Sequence, residues 1–393
     1  MSWPEICLAE LLEDIQPGFA SGLNIDDGIL QVRMNNVKPD GSWDWSKERR
    51  VPATTRQLAK YSLQSGDILF NATNSPEQVG KSALFQKSDE PVTFSNHFLR
   101  LKVKKSKVDE RYLIRYLASL WKKRVFENMV DAWVNQATVQ RDSFLALKIP
   151  VPPLAEQKRI AAILDKADSL RRKNQQAIQL ADQFLRAVFL DLFGDPMTNP
   201  KGWDEIELKK IADIRSGVTK GKKVDLATAV TLPYMRVANV QDGYLDLSDI
   251  QNITVSRNDA EKFQLEKGDI LLTEGGDPDK LGRGYVWNNE IPNCIHQNHI
   301  FSVRINNLNK IRPEFLSAVI ASQRGKRYFL RVGKQTTGIA TILSEFKPFV
   351  PPIELQDKFM VSVNKARTIK NLFASSEFNL FNSLSQKAFA GKL

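Results

Sequence analysis

Two histidines stand at matching places in the two halves of the sequence, and they are the first candidates for chemistry. His97 and His299 each follow an Asn and precede an apolar run. An imidazole there could act as a general base or a metal ligand, because it titrates near neutral pH. Cys294 and His296 lie close to His299, but a tetrahedral zinc site needs a fourth ligand, which this segment lacks. We therefore expect both repeated histidines to be hydrogen-bonded structural residues, and we expect no metal site.

Two glycine-rich segments approach the pattern that holds nucleotide phosphates. Residues 80–82 (Gly-Lys-Ser) match the end of a P-loop, but Ser75 occupies the position of its first glycine. Residues 217–222 have the spacing Gly-x-x-x-Gly-Lys, which is one residue too short. Because the amides of a complete loop must wrap the phosphates, we predict ordinary turns at both places.

Catalytic signatures of other classes are also missing. The sequence contains no Gly-x-Gly-x-x-Gly after a predicted strand, no Gly-x-Ser-x-Gly and no His-Glu-x-x-His. Its two Pro-Pro pairs, at 152–153 and 351–352, lack the Asn or Asp and the aromatic residue of the base-holding loop typical of amino-methyltransferases. The sequence therefore predicts a chain that catalyses nothing alone.

Basic residues cluster in both halves and give the chain 56 Lys and Arg against 45 Asp and Glu, a formal charge of +11. Such side chains could neutralise DNA phosphates and release counterions, while Arg, Asn and Gln could read base edges in the major groove. One cluster alone could be a solvated surface, but two comparable sets, which we expect in loops, favour DNA. The predicted DNA-binding residues are Lys102, Lys104, Lys105, Lys122, Lys123, Arg124, Lys220, Lys222, Lys223, Lys326, Arg327, Arg331 and Lys334.

An internal repeat of about 200 residues organises these clusters. Residues 63–69 (LQSGDIL) match residues 265–271 (LEKGDIL), and residues 122–124 correspond to 325–327. Further pairs follow in the same order: Trp3 with Trp203, Arg33 with Arg236, Asn36 with Asn239, His97 with His299, and Gln157 with Gln356. Preserved order with small drifts in spacing is what loop insertions produce in two homologous halves.

Each half is predicted to be a mixed α/β domain followed by one long helix. The predicted boundaries are 1–150, 151–195, 196–350 and 351–393, with net charges of +3, +1, +4 and +3. Apolar or alternating runs predict strands at 67–70, 98–103, 269–272 and 300–305, and amphipathic helices are predicted at 108–120 and 311–321.

The long helices are marked by their heptad pattern. Residues 154–193 follow the first Pro-Pro pair and carry apolar residues at heptad spacing, and residues 353–389 repeat the arrangement. A helix of 40 residues would be roughly 60 Å long. The predicted fold class is therefore α/β of the mixed α+β type, with two repeated domains separated by two long helices. We expect these helices to form an antiparallel coiled coil that acts as a spacer.

Composition and the lack of targeting patterns predict where in the cell the protein is found. The chain is 42% hydrophobic and 26% charged, which is enough to form cores and argues against disorder. It has no apolar run of about 18 residues and no signal-peptide pattern at its start. Cys7 and Cys294 permit no disulfide framework. We expect a cytoplasmic protein.

Several motifs together resemble the specificity (S) subunit of type I restriction-modification enzymes. Each half begins with Trp-x-x-Ile-x-Leu, at residues 3–8 and 203–208, and contains Gly-Asp-Ile-Leu. The most specific motif is Pro-Pro-Leu-Ala-Glu-Gln-Lys-Arg-Ile at 152–160, which opens the first long helix. Residues 193–203 look like the family's passage into its second half, whereas Ile-Glu-Leu-Gln at 353–356 departs from the family pattern. The resemblance covers nearly the whole chain.

The resemblance implies that 1–150 and 196–350 are target-recognition domains, each reading one half of a bipartite double-stranded DNA sequence. It implies that the helices dock two modification (methyltransferase) subunits and that restriction (translocase-nuclease) subunits complete the complex. S-adenosylmethionine, ATP and Mg²⁺ are then expected on those partners, with no cofactor in this chain and no membrane contact. The chain would be the non-catalytic subunit of a DNA adenine methyltransferase and restriction endonuclease.

Two other hypotheses stay open from the sequence. The chain could be a self-sufficient DNA-modifying enzyme with an unrecognised active site, or a coiled-coil scaffold whose basic loops are incidental. Turnover by the isolated chain would favour the first, and failure to retain DNA with partners bound would favour the second.

Overall fold

The computed structural model describes residues 3–133, 136–221, 224–225, 227, 229–273, 283–332 and 343–393. The chain divides into two compact units, one made of Met1–Gln175 with Ala374–Leu393 and the other of Gln176–Phe373. Each unit therefore holds one globular domain together with parts of both long helices.

The first unit is built on a four-stranded antiparallel sheet. Its strands are ordered β2 (Leu12–Pro17), β9 (Phe98–Val103), β5 (Ile68–Asn71) and β7 (Ser82–Leu84). The residues of β5 are buried on both faces of the sheet, which explains why this strand is a continuous apolar run rather than an alternating one.

Smaller elements complete the first unit. The remaining strands form three sheets: β4 (Arg50–Val51), β3 (Ile29–Val32) and β8 (Val92–Phe94); β10 (Val130–Trp133), β11 (Gln136–Val139) and β6 (Thr73–Asn74); and β1 (Glu5–Cys7) with β12 (Lys148–Pro150). The helices are α1 (Leu8–Leu11), α2 (Thr55–Tyr61), α3 (Glu110–Lys122) and α4 (Arg141–Leu145). Asp109 caps α3 by accepting from the amides of Arg111 and Tyr112.

The second unit repeats this topology, which confirms the predicted duplication. Its four-stranded sheet is ordered β13 (Ala212–Ser216), β19 (Ile300–Ile305), β16 (Ile270–Thr273) and β17 (Gly284–Val286). Its second sheet is ordered β15 (Gln251–Ser256), β14 (Ala229–Met235) and β18 (Ile295–His296). The helices are α6 (Arg257–Phe263), α7 (Pro313–Ala321) and α8 (Gln323–Val332). In both units the second sheet mixes one antiparallel and one parallel pairing.

The four predicted strands are all present, two of them with bounds shifted by one residue. The shift has a shared cause, because Gly66 and Gly268 adopt φ of +95° and +98° and end a tight turn before each strand. In that turn the carboxylates of Asp67 and Asp269 accept the amides of Gln64 and Glu266 at 2.8 Å and 2.9 Å. The aspartates therefore close the turns instead of entering the strands.

The long helices are α5 (Leu154–Phe193) and α9 (Ile353–Phe389), with the bounds that the Pro-Pro pairs and heptads predict. In the second unit they run antiparallel, since Asp182 pairs with Lys370 while the Phe193 and Phe359 rings lie 5.7 Å apart. In the first unit Arg159, near the start of α5, donates to the carbonyl of Leu393 at 3.1 Å. Within the described ranges, no helix combines the length and apolarity needed to cross a membrane.

Candidate functional site

A short turn after β3 is held in place by the side chain of one buried residue, Asn36. Arg33 leads into a 3-10 turn, Met34–Asn36, and the Asn36 side chain accepts the Arg33 amide at 2.8 Å. The Asn36 Nδ2 donates to the carbonyls of Asp44 and Lys47 at 2.9 Å and 3.0 Å. Because Asn36 is only 2% exposed, these bonds fix the segment 44–47 against the end of β3.

The second domain builds the same turn from the matching residues. Asn239 accepts the Arg236 amide at 2.9 Å and donates to the carbonyls of Asp246 and Asp249 at 2.8 Å and 3.1 Å. Each domain therefore presents an arginine at the start of a rigid turn. The sequence repeat had matched these arginines, but they were not among the predicted DNA-binding residues.

Cations gather around the turn in the first domain. Burial and the charge of Arg49 lower the pKa of Arg33. Lys81 is 7% exposed and donates from Nζ to the carbonyl of Val37 at 2.9 Å. Burial and the charge of Lys47 lower the pKa of Lys81 as well. Sequence reasoning missed this group because its members are far apart in the chain and form no basic run.

The predicted basic residues of the first domain lie on two other features. Lys102 lies within β9, the strand predicted at 98–103, and donates to the side chain of Gln64 at 3.0 Å. The strand continues through Lys102 and ends one residue later, at Val103. Lys104 donates to the carbonyl of Glu10 at 3.3 Å, and Lys105 is exposed in the turn that follows β9.

The second basic cluster of this domain lies at the end of α3. Lys122 is the last residue of the helix, Lys123 is its cap, and Arg124 adopts a left-handed φ of 58°. Lys123 lines a cavity together with Trp3 and Phe389. Arg124 lies 3.6 Å from the carboxylate of Glu127.

The basic cluster of the second domain lies on a helix, which corrects the expected loop. Lys326, Arg327 and Arg331 belong to α8, which follows α7 after Ser322. The helix can pack close to α7 because the buried residue 325 is glycine. A Cβ at this position would collide with the carbonyl of Ile320.

The remaining basic positions of this domain have separate environments. Lys326 pairs with Asp242 at 3.7 Å, and the Arg331 guanidinium lies 5.5 Å from the centre of the Tyr328 ring. Lys220 is exposed in a turn. Lys222, Lys223 and Lys334 lie outside the described residues. The described candidates therefore occupy four separate elements: the end of β9, the end of α3, the turn at 220 and α8.

The histidine and cysteine candidates have structural surroundings. His97 is half-buried and its carbonyl accepts the amides of Ala72 and Thr73, whereas His299 is exposed before β19. Burial lowers the pKa of His296 to about 4 and raises the pKa of the Cys294 thiol to about 12. A thiol with such a pKa is a poor nucleophile at neutral pH. In the part of the chain that the structure describes, no group of three or more His, Cys, Asp and Glu could hold a metal ion.

Two α/β domains whose four-stranded sheets have the same strand order, each with parts of two long helices, define the class of duplicated two-domain proteins. The chain belongs to the type I restriction modification DNA specificity domain family, whose model matches residues 40–180 and 200–362. These ranges include most of both domains, residues 154–180 of α5 and residues 353–362 of α9.

Individual relatives agree with the family. The chain is 30% identical over 213 residues to a putative type I restriction enzyme MjaX specificity subunit of Methanocaldococcus jannaschii, a match that spans 54% of this chain and 50% of that protein. It is 23% identical over 405 residues to the type I restriction enzyme EcoKI specificity subunit of Escherichia coli K12, covering 94% of this chain and 83% of that one.

A solved structure shares the fold along nearly the full length. It is the crystal structure of a type I restriction-modification system S subunit from M. genitalium, with a TM-score of 0.62 and 17% sequence identity. The likeness covers 98% of this chain and 96% of that one. At this identity it establishes the fold.

Proposed function

We propose that the chain is the DNA-specificity subunit of a type I restriction-modification complex. Each domain reads one half of a bipartite target, and the helices dock the modification subunits. The observation that carries the proposal is the duplicated sheet order, β2–β9–β5–β7 and β13–β19–β16–β17, in a chain whose family is defined by DNA specificity. Two homologous DNA-recognition domains in one chain match a DNA target that has two defined halves.

The helices of the second unit offer a surface for a partner. Leu180, Phe184 and Leu372 are 54%, 50% and 64% exposed, although they belong to a helix pair that buries other apolar side chains. Exposed apolar side chains grouped on helices are typical of protein interfaces. We infer that modification subunits cover them. S-adenosylmethionine, ATP and Mg²⁺ would be held by the modification and restriction subunits, since this chain supplies recognition.

The docking can be tested by co-purification. Phe184→Glu places a charge on the helix surface and should reduce capture of the modification subunit. Leu308→Glu is the matched control, because Leu308 is 53% exposed outside the long helices. Equal capture by both variants would contradict the docking.

The function can be tested on the source genome. Single-molecule methylation sequencing should show a bipartite adenine motif when the gene is intact, its loss when the gene is deleted, and its return on complementation. An unchanged methylome in the deletion strain, with the modification subunit expressed, would overturn the proposal. Methyl transfer by the isolated chain would instead favour a self-sufficient enzyme.

A further inference from the structure

Arg33 and Arg49 of the first domain have no acidic partner in the described part of the chain. Gln31 donates its backbone amide to the carbonyl of Arg49 at 2.9 Å, which places Arg33 and Arg49 near each other across the paired strands, and the charge of Arg49 acts on Arg33. The Nε atoms of Arg33 and Arg49 are buried, and neither makes a hydrogen bond within the described part of the chain. The Arg49 Nη2 donates only to the carbonyls of Ser21 and Leu23, at 2.8 Å and 3.2 Å. The structure records no ion pair for either guanidinium among the residues it describes.

The carboxylates of this region are bound elsewhere. Asp44 pairs with Lys47 at 3.6 Å, and Glu90 holds Arg50 through two bonds of 2.7 Å. Glu48 lies 3.7 Å from Arg50 as well. Lys81, beneath the same turn, adds a third cation whose Nζ bonds only a carbonyl oxygen. Arg33, Arg49 and Lys81 therefore carry positive charge that forms no ion pair with any carboxylate among the described residues.

The matching arginine of the second domain, Arg236, also has a buried Nε without a hydrogen bond, but it has an acidic partner. Arg236 donates from Nη2 to the Asp249 side chain and carbonyl, both at 2.8 Å. The strand pairings Ile29 with Val51 and Leu232 with Ile253 align the two domains in this region. In that alignment Lys47 corresponds to Asp249, and Arg49 corresponds to Gln251. The two domains share the turn and differ in its charge.

A partly buried cation beside another cation is unfavourable unless an anion joins them. A tetrahedral phosphate matches this arrangement, because guanidinium groups bind its oxygens through paired N–H donors. We propose that Arg33 and Arg49 form a binding site for a backbone phosphate of DNA, present in the first domain and closed in the second by Asp249. The inference rests on the proposed function and adds the ligand group and the residues that hold it.

The site can be tested by the salt dependence of DNA binding. The full chain is titrated with a fluorescein-labelled duplex of mixed sequence at a series of KCl concentrations, and anisotropy gives the slope of log K against log[salt]. Arg49→Gln places in the first domain the residue that the second domain has. Since each phosphate contact contributes about 0.9 to the slope, Arg49→Gln and Arg33→Met should each lower its magnitude by about that amount.

A third variant changes the charge without touching the arginines. Lys47→Asp supplies the carboxylate that Asp249 supplies in the second domain, and it should lower the slope similarly because Arg33 then has an internal partner. Lys47 is 52% exposed at its side chain, so the fold should tolerate the change. Arg56→Gln and Lys87→Asp are matched controls, because both residues are exposed in the first domain and the charge changes are the same.

The outcomes separate this inference from the proposed function. Lower slopes for the three variants, with the controls equal to wild type and all melting temperatures similar, support the phosphate site. Unchanged slopes in variants that bind as tightly as wild type overturn it and leave the proposed function standing. Weaker binding with an unchanged slope also overturns it, because the arginines would then read a base edge. A wild-type chain that binds no duplex overturns both proposals.

Discussion

The side chain of Gln157 fixes the start of helix α3, since its Oε1 accepts the backbone amide of Asp109 at 2.8 Å. Its Nε2 donates to the carbonyls of Lys107 and Pro152 at 3.0 Å and 2.8 Å. Gln356 makes the corresponding bonds in the second unit, with the amide of Arg312 at 2.8 Å. Both glutamines are fully buried. Each one therefore joins a long helix to the domain that packs on it.

Removing the side-chain amide of Gln157 should weaken the attachment of the first domain to helix α5. Gln157→Ala leaves one buried N–H and two carbonyls without their partner, and we expect a loss of roughly 3 kcal/mol because each orphaned group costs about 1–3 kcal/mol. Urea denaturation followed by circular dichroism measures the change. Gln175→Ala, at an exposed position of the same helix, is the control and should change the stability little. Equal effects of the two variants would contradict the role of Gln157.

The buried carboxylate of Asp168 on α5 forms a second attachment between this long helix and the first domain, through Arg115 of α3. Asp168 is 3% exposed and accepts from Arg115, Arg171 and Arg172 at 3.2 Å, 2.8 Å and 2.9 Å. Burial alone would raise the pKa of Asp168, but the hydrogen bond from Arg171 and the charges of the three arginines lower it overall. The carboxylate therefore stabilises the fold above its ordinary pKa, and this contribution is lost as the pH falls through the lowered value.

Asp168→Asn should cost about 2 kcal/mol at neutral pH, because it removes the buried carboxylate from charged hydrogen bonds, while Arg115 keeps Asp165 and the other two arginines keep Asp40. The unfolding free energy of the variant should also lack the acid-dependent component that Asp168 gives the wild type. Asp191→Asn, exposed on the same helix, supplies the comparison. A variant as stable as this control would show that the arginine cluster does not depend on Asp168.

Histidine titration should make the second unit sensitive to mild acid. His296 is 1% exposed, its Nδ1 lies 2.9 Å from the carbonyl of Ile300, and burial lowers its pKa to about 4. The ring packs near Phe263. The charge of Asp269 acts to raise the pKa of His296 and the charge of Arg215 acts to lower it. An unfolded chain takes up this proton near pH 6.5, so the stabilisation present above that pH is lost as the pH falls towards 4, by up to about 3 kcal/mol.

His296→Asn keeps a hydrogen-bond donor and removes the titration. Melting temperatures measured between pH 7 and pH 4 should fall less steeply for this variant than for wild type. His299→Asn, the same substitution at an exposed histidine, is the matched control. If His296→Asn and wild type have parallel profiles, another group is responsible for the acid sensitivity.

Substitution of the predicted basic residues tests whether they contact DNA. Lys104→Ala and Lys326→Ala should each weaken duplex binding and lower the magnitude of the salt slope by about 0.9, if each lysine neutralises one phosphate. Fluorescence anisotropy against KCl concentration measures both effects. Lys267→Ala removes an exposed charge from the turn before β16 as the comparison. Slopes equal to wild type would remove Lys104 and Lys326 from the interface.

The sequence predicted the elements whose signals are local and repeated. The bounds of α5 follow from the Pro-Pro pair before it and from Gly194, which adopts a φ of +82° and donates its amide to Leu190 at 2.8 Å. Every residue needed for that prediction lies in one continuous segment. The duplicated Gly-Asp turns were predictable for the same reason, since each closes on itself within four residues.

Features that depend on distant segments could not be predicted in this way. The pairing of β3 with β4 brings Arg33 and Arg49 near each other, and Lys81 reaches the turn from a different part of the chain. The helical placement of Arg327 depends on the close approach of Gly325 to the end of α7, which no basic pattern reveals. A comparison of charges at matched repeat positions, Lys47 against Asp249, was the one available signal for the arginine pair.

Exchange of the first domain tests the central claim most directly. Residues 1–150 are replaced by the corresponding domain of another family member, and single-molecule methylation sequencing is repeated in the source strain. If each domain reads one half of the target, one half of the methylated motif changes while the other half is retained. A motif that changes in both halves, or in neither while the exchanged chain is expressed and assembled, would contradict the account.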